Sequence, residues 1–288
     1  MNEECIHGLD GELCALCFPP AAPVAPAVPA ARAPRASRAR TAEAPTALRT
    51  VATPITTGTA KTKRNDDNVG EQRIYHLTHI RNLPGILASG RLLADTSEVW
   101  EDRPVVDISS GANRDARRQA RISGDDSLTV ADHVPFFLSP NALVWENIRA
   151  QSLDPRLSDD AHDAAAFDFV MLVSTVKKVL DAATEDAAPT DAAPFAVTDG
   201  DAAFTATRFG STPDAADTLL RSLRADLASD TILKAELLVP GEFPFGLITL
   251  IGVANDRVRD AVKPILAAAS HKPKVAVYPP WFHPTEEL

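Results

Sequence analysis

Beyond about Arg73 the sequence predicts a mixed α+β fold, on three observations. Apolar runs of strand length alternate with stretches of helical periodicity. The last strands follow one another closely, which suits a mixed sheet better than a regular doubly wound one. No GxGxxG follows a strand and no GxxxxGK precedes a Ser or Thr, so neither a Rossmann nor a P-loop cradle is expected to hold a nucleotide.

The elements follow in order. In RIYHLTHIRNLPGILASGRLL, Ile74–His79 reads as a strand and Leu83–Ala88 as a helix ended by Gly90. Asn113–Ile122 is polar and helical in character, and Val134–Leu138 is an apolar run closed by Ser139 and Pro140, as in a buried strand. Phe167–Val173 is a strand passing into a helix over Val176–Ala183, and Ala187–Ala193 is a loop. Phe195–Thr198 is a strand closing on the turn at Asp199 and Gly200. A helix at Ala215–Ala228, strands at Leu233–Val239 and Leu247–Val253, a helix at Arg257–Ala269 and a strand at Lys274–Tyr278 complete the reading.

The 288 residues divide unevenly. Residues 19–70 are rich in Ala, Pro, Arg and Thr and lack the apolar area to offset their ordering entropy, so this stretch reads as a disordered linker. Between Phe18 and Arg64 its only acid is Glu43, which makes it basic although the whole chain carries a net charge of −10. Charge runs and not totals decide local affinity for nucleic acid. Residues 1–18 hold all three cysteines in CxHx6CxxC: Cys5, His7, Cys14 and Cys17, the ligand count and chemistry of a tetrahedral structural zinc site. The alternative is a disordered tail with scattered cysteines. No stretch approaches the roughly 20 apolar residues of a membrane span, and MNEECIHG is neither basic nor apolar enough for a signal peptide. The chain is expected to be cytoplasmic, with no membrane partner, and residues 71–288 form its main domain.

Three constellations in that domain carry chemistry. Arg114, Arg117, Arg118 and Arg121 fall at i, i+3, i+4 and i+7, so a helix puts four guanidinium groups on one face. Unrelieved they repel one another, and a phosphate-bearing ligand would relieve the strain; the alternative is a solvated helix face. His76 and Thr78 share one face of the first strand and His79 points the other way, with Asn82 just beyond. A lone histidine on a strand is more often structural than functional. Glu236, in the apolar run LKAELLV, shares a face with Lys234 and Leu238; it is either salt-bridged to an arginine or set in a cleft for chemistry. Trp100, Trp145, Phe136 and Phe137 are candidates for stacking on exposed bases, though core packing suits the two phenylalanines better.

Four segments in order resemble the DarT toxin family: RIYHLTHIRNL its opening strand, DHVPFFLSPNALVW its second motif, PFAVTDGDAAFTATRF its TDGNAA-type motif, and KAELLVPGEFPFGLI the strand bearing its catalytic glutamate. The resemblance spans about Arg73 to the end. Arg81 departs from it, standing where the family has Asp.

That resemblance implies an ADP-ribosyltransferase fold with a split mixed or antiparallel central sheet and flanking helices, using NAD to ADP-ribosylate thymidine or guanosine in single-stranded DNA. It implies Glu236 as catalytic carboxylate, Arg117 as catalytic arginine (with Arg118 or Arg121 as alternatives), and His76, Thr78 and Asn82 at the NAD. Arg114, Arg118, Arg121 and Trp145 are the expected contacts to nucleic acid. A macrodomain antitoxin is the expected partner, in a toxin–antitoxin or phage-defence role. RNA or protein as acceptor, or an inactive nucleic-acid-binding module, are the competing readings.

Overall fold

The computed structural model describes residues 68–122, 125–186, 193–226 and 229–285. The Cys/His segment at 1–18 lies outside them, as does nearly all of the 19–70 linker; its last residues enter a short 3-10 turn, Val69–Glu71, capped by Asn68.

Strands β1 (Arg73–His79), β2 (Arg91–Leu93), β3 (Arg121–Ile122), β4 (Asp125–Thr129), β5 (His133–Phe137), β6 (Phe169–Thr175), β7 (Ala196–Thr198), β8 (Phe209–Gly210), β9 (Glu236–Pro240), β10 (Glu242–Pro244), β11 (Leu250–Val253) and β12 (Lys274–Val277) alternate with helices α1 (Leu83–Ser89), α2 (Gly111–Gln119), α3 (Leu143–Arg149), α4 (Asp159–Asp163), α5 (Val176–Asp186), α6 (Pro213–Ala225), α7 (Asp230–Lys234) and α8 (Asp256–Leu266). Eight strands form one sheet in the order β12-β11-β6-β1-β5-β9-β7-β8, antiparallel except for β11 and β12. The α+β expectation and the mixed sheet therefore hold.

Period-two alternation sorts β1 and β6 between two cores. Ile74, Val170 and Leu172 join one face with residues of α5, α6 and α8. Tyr75, Leu77, Phe169 and Met171 join the other, against Trp145 and Ile148 of α3 and the C-terminal Phe282. His79 stands on this second side, edge-on to Phe169 at 5.3 Å.

The sheet is split at its centre. β1 pairs with β6 along all seven residues but meets β5 only at Tyr75 and Phe137. Pro135 of β5 has no N–H to give a ladder, so β1 and β5 part there. The His76 imidazole bridges the gap, its Nδ1 2.9 Å from the Pro135 carbonyl. The opening becomes the floor of a cavity.

Some boundaries differ from the sequence reading, each for a local reason. Leu233 and Lys234, read as the start of the Leu233–Val239 strand, instead end a helical turn, Asp230–Lys234, with an acid in its first turn and Lys234 in its last, favourable at the two ends of the helix dipole. Glu236 is thus the first residue of β9 and does not share a strand face with Lys234. Helix α2 ends at Gln119, and Arg121 begins β3, so the four-arginine stripe is three residues long. Leu143–Arg149 and Asp159–Asp163 are helices that periodicity did not single out. Gly90 does end α1, at φ +69°, a left-handed conformation suited to glycine. Among the described residues no helix is long and apolar enough to cross a membrane.

Candidate active site

The split opens into a cavity of about 880 Å³. Its floor carries His76 and Thr78 from β1, Pro135 and Phe137 from β5, and Glu236 from β9; its cover is the loop between β2 and α2, with Asp95, Trp100 and Asp107, and the face of α2 with Arg114 and Arg117. The residues singled out for chemistry on β1, α2 and β9, far apart in the chain, therefore share one cleft.

Glu236 is 4% exposed. Arg117 clasps its carboxylate in a two-point ion pair, Nη2 to Oε2 at 2.8 Å and Nη1 to Oε1 at 3.2 Å. A third donor, the Ala202 backbone N–H, reaches Oε1 at 3.0 Å. At the backbone, Glu236 N–H donates to Thr198 Oγ1 at 2.9 Å, whose hydroxyl donates to the Gly200 carbonyl at 2.7 Å. A buried carboxylate is costly unless paired and hydrogen-bonded, and here every demand is met. Burial acts to lower the Arg117 guanidinium, but Glu236, with lesser help from Asp201 and Asp95, raises it above its ordinary value.

His76 is held neutral. Burial lowers its imidazole, and the Pro135 carbonyl only partly offsets this. A carbonyl can only accept, so Nδ1 carries the proton and Nε2 is left as the acceptor. Thr78 accepts from Asn82 Nδ2 at 3.1 Å and keeps its own proton to give. The rest of the Asn82 amide is committed to the covering loop: Nδ2 donates to Val106 O at 2.8 Å, and Oδ1 accepts from Val106 N at 3.0 Å. Asn82 shapes the wall; its amide is not free for a ligand.

Two expectations for nucleic-acid contacts need correction. Trp145 is 0% exposed, packed at 5.5 Å on Phe169 and 5.6 Å on Phe282, with its indole N–H on the Trp281 carbonyl at 2.5 Å; neither ring face is open to a base. The arginines are not unrelieved. Arg114 bridges Asp95 and Asp107, and Arg118 pairs with Asp95 at 2.7 Å and Asp115 at 3.1 Å. Both staple the covering loop to α2. Of the other stacking candidates, Phe136 is buried, Phe137 lines the cavity, and Trp100 sits at its rim with the Arg103 guanidinium 5.2 Å from its ring centre.

Asp95, Asp107, Arg156 and Asp201 escaped the sequence reading. Asp201 lies inside the TDGDAA segment, which was a signal for the segment and not for that side chain; the others sit in irregular loops without periodicity.

The geometry has counterparts. A family model described as ssDNA thymidine ADP-ribosyltransferase, DarT, matches residues 75–283. A DNA ADP-ribosyl transferase of Thermus aquaticus is 28% identical over 217 residues, covering 73% of this chain and 88% of the relative. A solved structure of Thermus sp. 2.9 DarT in complex with carba-NAD+ superposes with a TM-score of 0.56 at 25% identity, covering 74% of this chain and 98% of that one. The same enzyme in complex with ADP-ribosylated ssDNA gives a TM-score of 0.60 at 24% identity, covering 74% and 97%, a likeness of fold. With a family model spanning most of its length, this chain belongs to the DarT family of DNA ADP-ribosyltransferases.

Proposed function

We propose that this chain transfers ADP-ribose from NAD to a thymidine base of single-stranded DNA, with Glu236 as the catalytic carboxylate and Arg117 as its cationic partner. One observation carries the reading: the buried carboxylate of Glu236, gripped by Arg117 and by Ala202 N–H, lies in the same cavity as His76 and Thr78. The family description supplies the thymidine.

The cavity suits a dinucleotide. Its volume falls within the roughly 300–1,000 Å³ of small-molecule sites. Arg117 spends two of its five N–H groups on Glu236, which leaves three for a phosphate. Arg81 adds a second guanidinium at the cavity wall. His76 Nε2 and the Thr78 hydroxyl offer an acceptor and a donor to ribose hydroxyls or to the nicotinamide amide. NAD supplies the ADP-ribosyl group: the bond from its ribose carbon to the nicotinamide nitrogen breaks, a bond to the base nitrogen forms, and nicotinamide and one proton are released.

A thymine ring nitrogen loses its proton only well above neutral pH, so a group must orient the N–H and receive the proton as the new bond forms. Glu236 does this. Held by three donors, its carboxylate is well fixed, and position and charge are the larger part of its contribution. Single-stranded DNA follows from access, because the ring nitrogen is paired in a duplex.

Mass spectrometry of nucleosides from oligonucleotides treated with the chain and NAD tests this. ADP-ribosylated thymidine from single strands is the expected product. Modification of guanosine alone overturns the base assignment, and modification of RNA or protein with none of DNA overturns the substrate.

A macrodomain antitoxin that removes the ADP-ribose, implied by the sequence resemblance, belongs to the same proposal: growth arrest on expression of the chain should be relieved by a co-expressed macrodomain hydrolase. Zinc at Cys5, His7, Cys14 and Cys17 rests on ligand spacing alone, and elemental analysis should find one ion per chain.

A further inference from the structure

The segment from Asp154 to Ser158 touches both partners of the Arg117–Glu236 pair through their supports, and the chemistry above makes no use of it. Arg156 Nη1 donates to Asp201 Oδ2 at 2.8 Å. Its other edge is pinned to Asp154, by Nε to Oδ1 at 2.9 Å and Nη2 to Oδ2 at 2.6 Å. Asp154 is itself 5% exposed and takes a further bond from Asn147 Nδ2 at 2.7 Å. Burial works to raise its carboxyl, yet the Arg156 hydrogen bonds outweigh this and hold it at about 2.

Asp201 passes that rigidity to Glu236. Its Oδ1 accepts from Ala203 N at 3.0 Å, and its carbonyl accepts from Thr207 Oγ1 at 2.6 Å, so the turn is fixed on both sides of Ala202. Ala202 N–H is the third donor to Glu236. The backbone of the same segment reaches the other partner. The Arg156 carbonyl accepts from Ser110 N at 2.8 Å, and the Pro155 carbonyl from Ser110 Oγ at 2.7 Å. Ser110 is the N-cap of α2, the helix that carries Arg117.

Resting on the transferase reading, we propose that Arg156 is a positioning residue: its guanidinium sets the turn that gives Ala202 N–H to Glu236, while its backbone seats the start of the Arg117 helix. Charge-assisted bonds on both edges of a planar guanidinium fix direction as well as distance. A displacement of about 1 Å in a reacting group can cost about 10²-fold in rate.

The test compares Arg156→Gln, Arg156→Lys, Asp201→Asn and the Arg156→Gln/Asp201→Asn double variant in the full chain. In Arg156→Gln, kcat for DNA modification should fall about 10- to 100-fold while KM for NAD stays within about threefold. Arg156→Lys, which keeps the charge opposite Asp201, should recover part of the loss. The double variant should be no worse than the poorer single one, as two members of one chain of contacts require. Retained kcat in Arg156→Gln, an additive double loss, or a KM increase of about tenfold at unchanged kcat, marking direct ligand contact, would each overturn the proposal. Amide exchange without NAD or DNA gives a second readout: peptides covering 199–207 should exchange faster in Arg156→Gln, and unchanged exchange sinks the inference. If the wild-type chain modified no DNA, the transferase reading would fall, and the exchange result would still decide this one.

Discussion

Arg114 and Arg117 stand one turn apart on α2 and both end on carboxylates, but on opposite sides of the cavity. Arg117 reaches down to a strand: its partner Glu236 is 6% exposed at the side chain, and its Oε1 also accepts from the Ala202 backbone N–H. Arg114 reaches out to a loop: Asp95 and Asp107 are 21% and 36% exposed, and Arg118 and Arg103 crowd onto the same Asp95. The first pair is dry, two-pointed and built on the sheet. The second is a wetter network that holds a cover in place. Residue type is the same in both, so the depth and rigidity of the carboxylate are what set the two pairs apart.

The largest effect should separate these two sides most sharply. Glu236→Gln preserves volume and one acceptor but removes the charge, and DNA modification should drop about 10²- to 10³-fold while the chain stays folded at the assay temperature. A rate within threefold of wild type would show that the buried pair is only structural. Arg117→Lys comes next: a point charge replaces the two-point fork, for an expected loss of about 10- to 100-fold in kcat. Arg117→Ala is a poorer probe, since a buried Glu236 left without its cation costs about 3–5 kcal/mol of stability.

On the loop side the expected change is smaller and of another kind. Arg114→Ala should raise KM for NAD about three- to tenfold and leave kcat within about threefold, at no more than about 1 kcal/mol in stability. A kcat loss matching that of Arg117→Lys would erase the distinction between the two arginines.

The smallest effect is a pH dependence of stability from the sheet side. His76 and His79 both have imidazoles lowered from the ordinary 6.5, chiefly by burial. Between their folded values and 6.5 the unfolded chain binds more protons than the folded one, so stability is full above about pH 6.5 and declines as the pH drops below it. Denaturation midpoints at about pH 7.5 and about pH 5 should show that decline, and His76→Gln should flatten part of it.

Several features of the site were readable residue by residue. Period two placed His76 and Thr78 on one face of β1, and a lone acid in an apolar run marked Glu236 as paired or catalytic; it lies in a cleft and is also paired. Helical spacing put Arg114, Arg117 and Arg118 together. What those arginines face was not readable, because their partners lie 19 residues away at Asp95 and 119 away at Glu236. Trp145 shows the same limit. Its burial depends on Phe282 and Trp281 at the far end of the chain, so a local reading could not tell a stacking platform from a core residue. Leu233 and Lys234 read as strand but close the Asp230–Lys234 helical turn, because five residues are too few for strand and helix periods to part.

Local chemistry, then, settled most of the element types, the strand face of His76 and Thr78 and the helical spacing of the arginines, which are short-range consequences of backbone geometry and of burying apolar atoms. The allocation of partners was left to the assembled sheet. It parts at Pro135, opens beside β1, and brings a helix from one third of the chain onto a carboxylate from another. Ion pairing and burial are set by distances across space, and only the packed chain defines those.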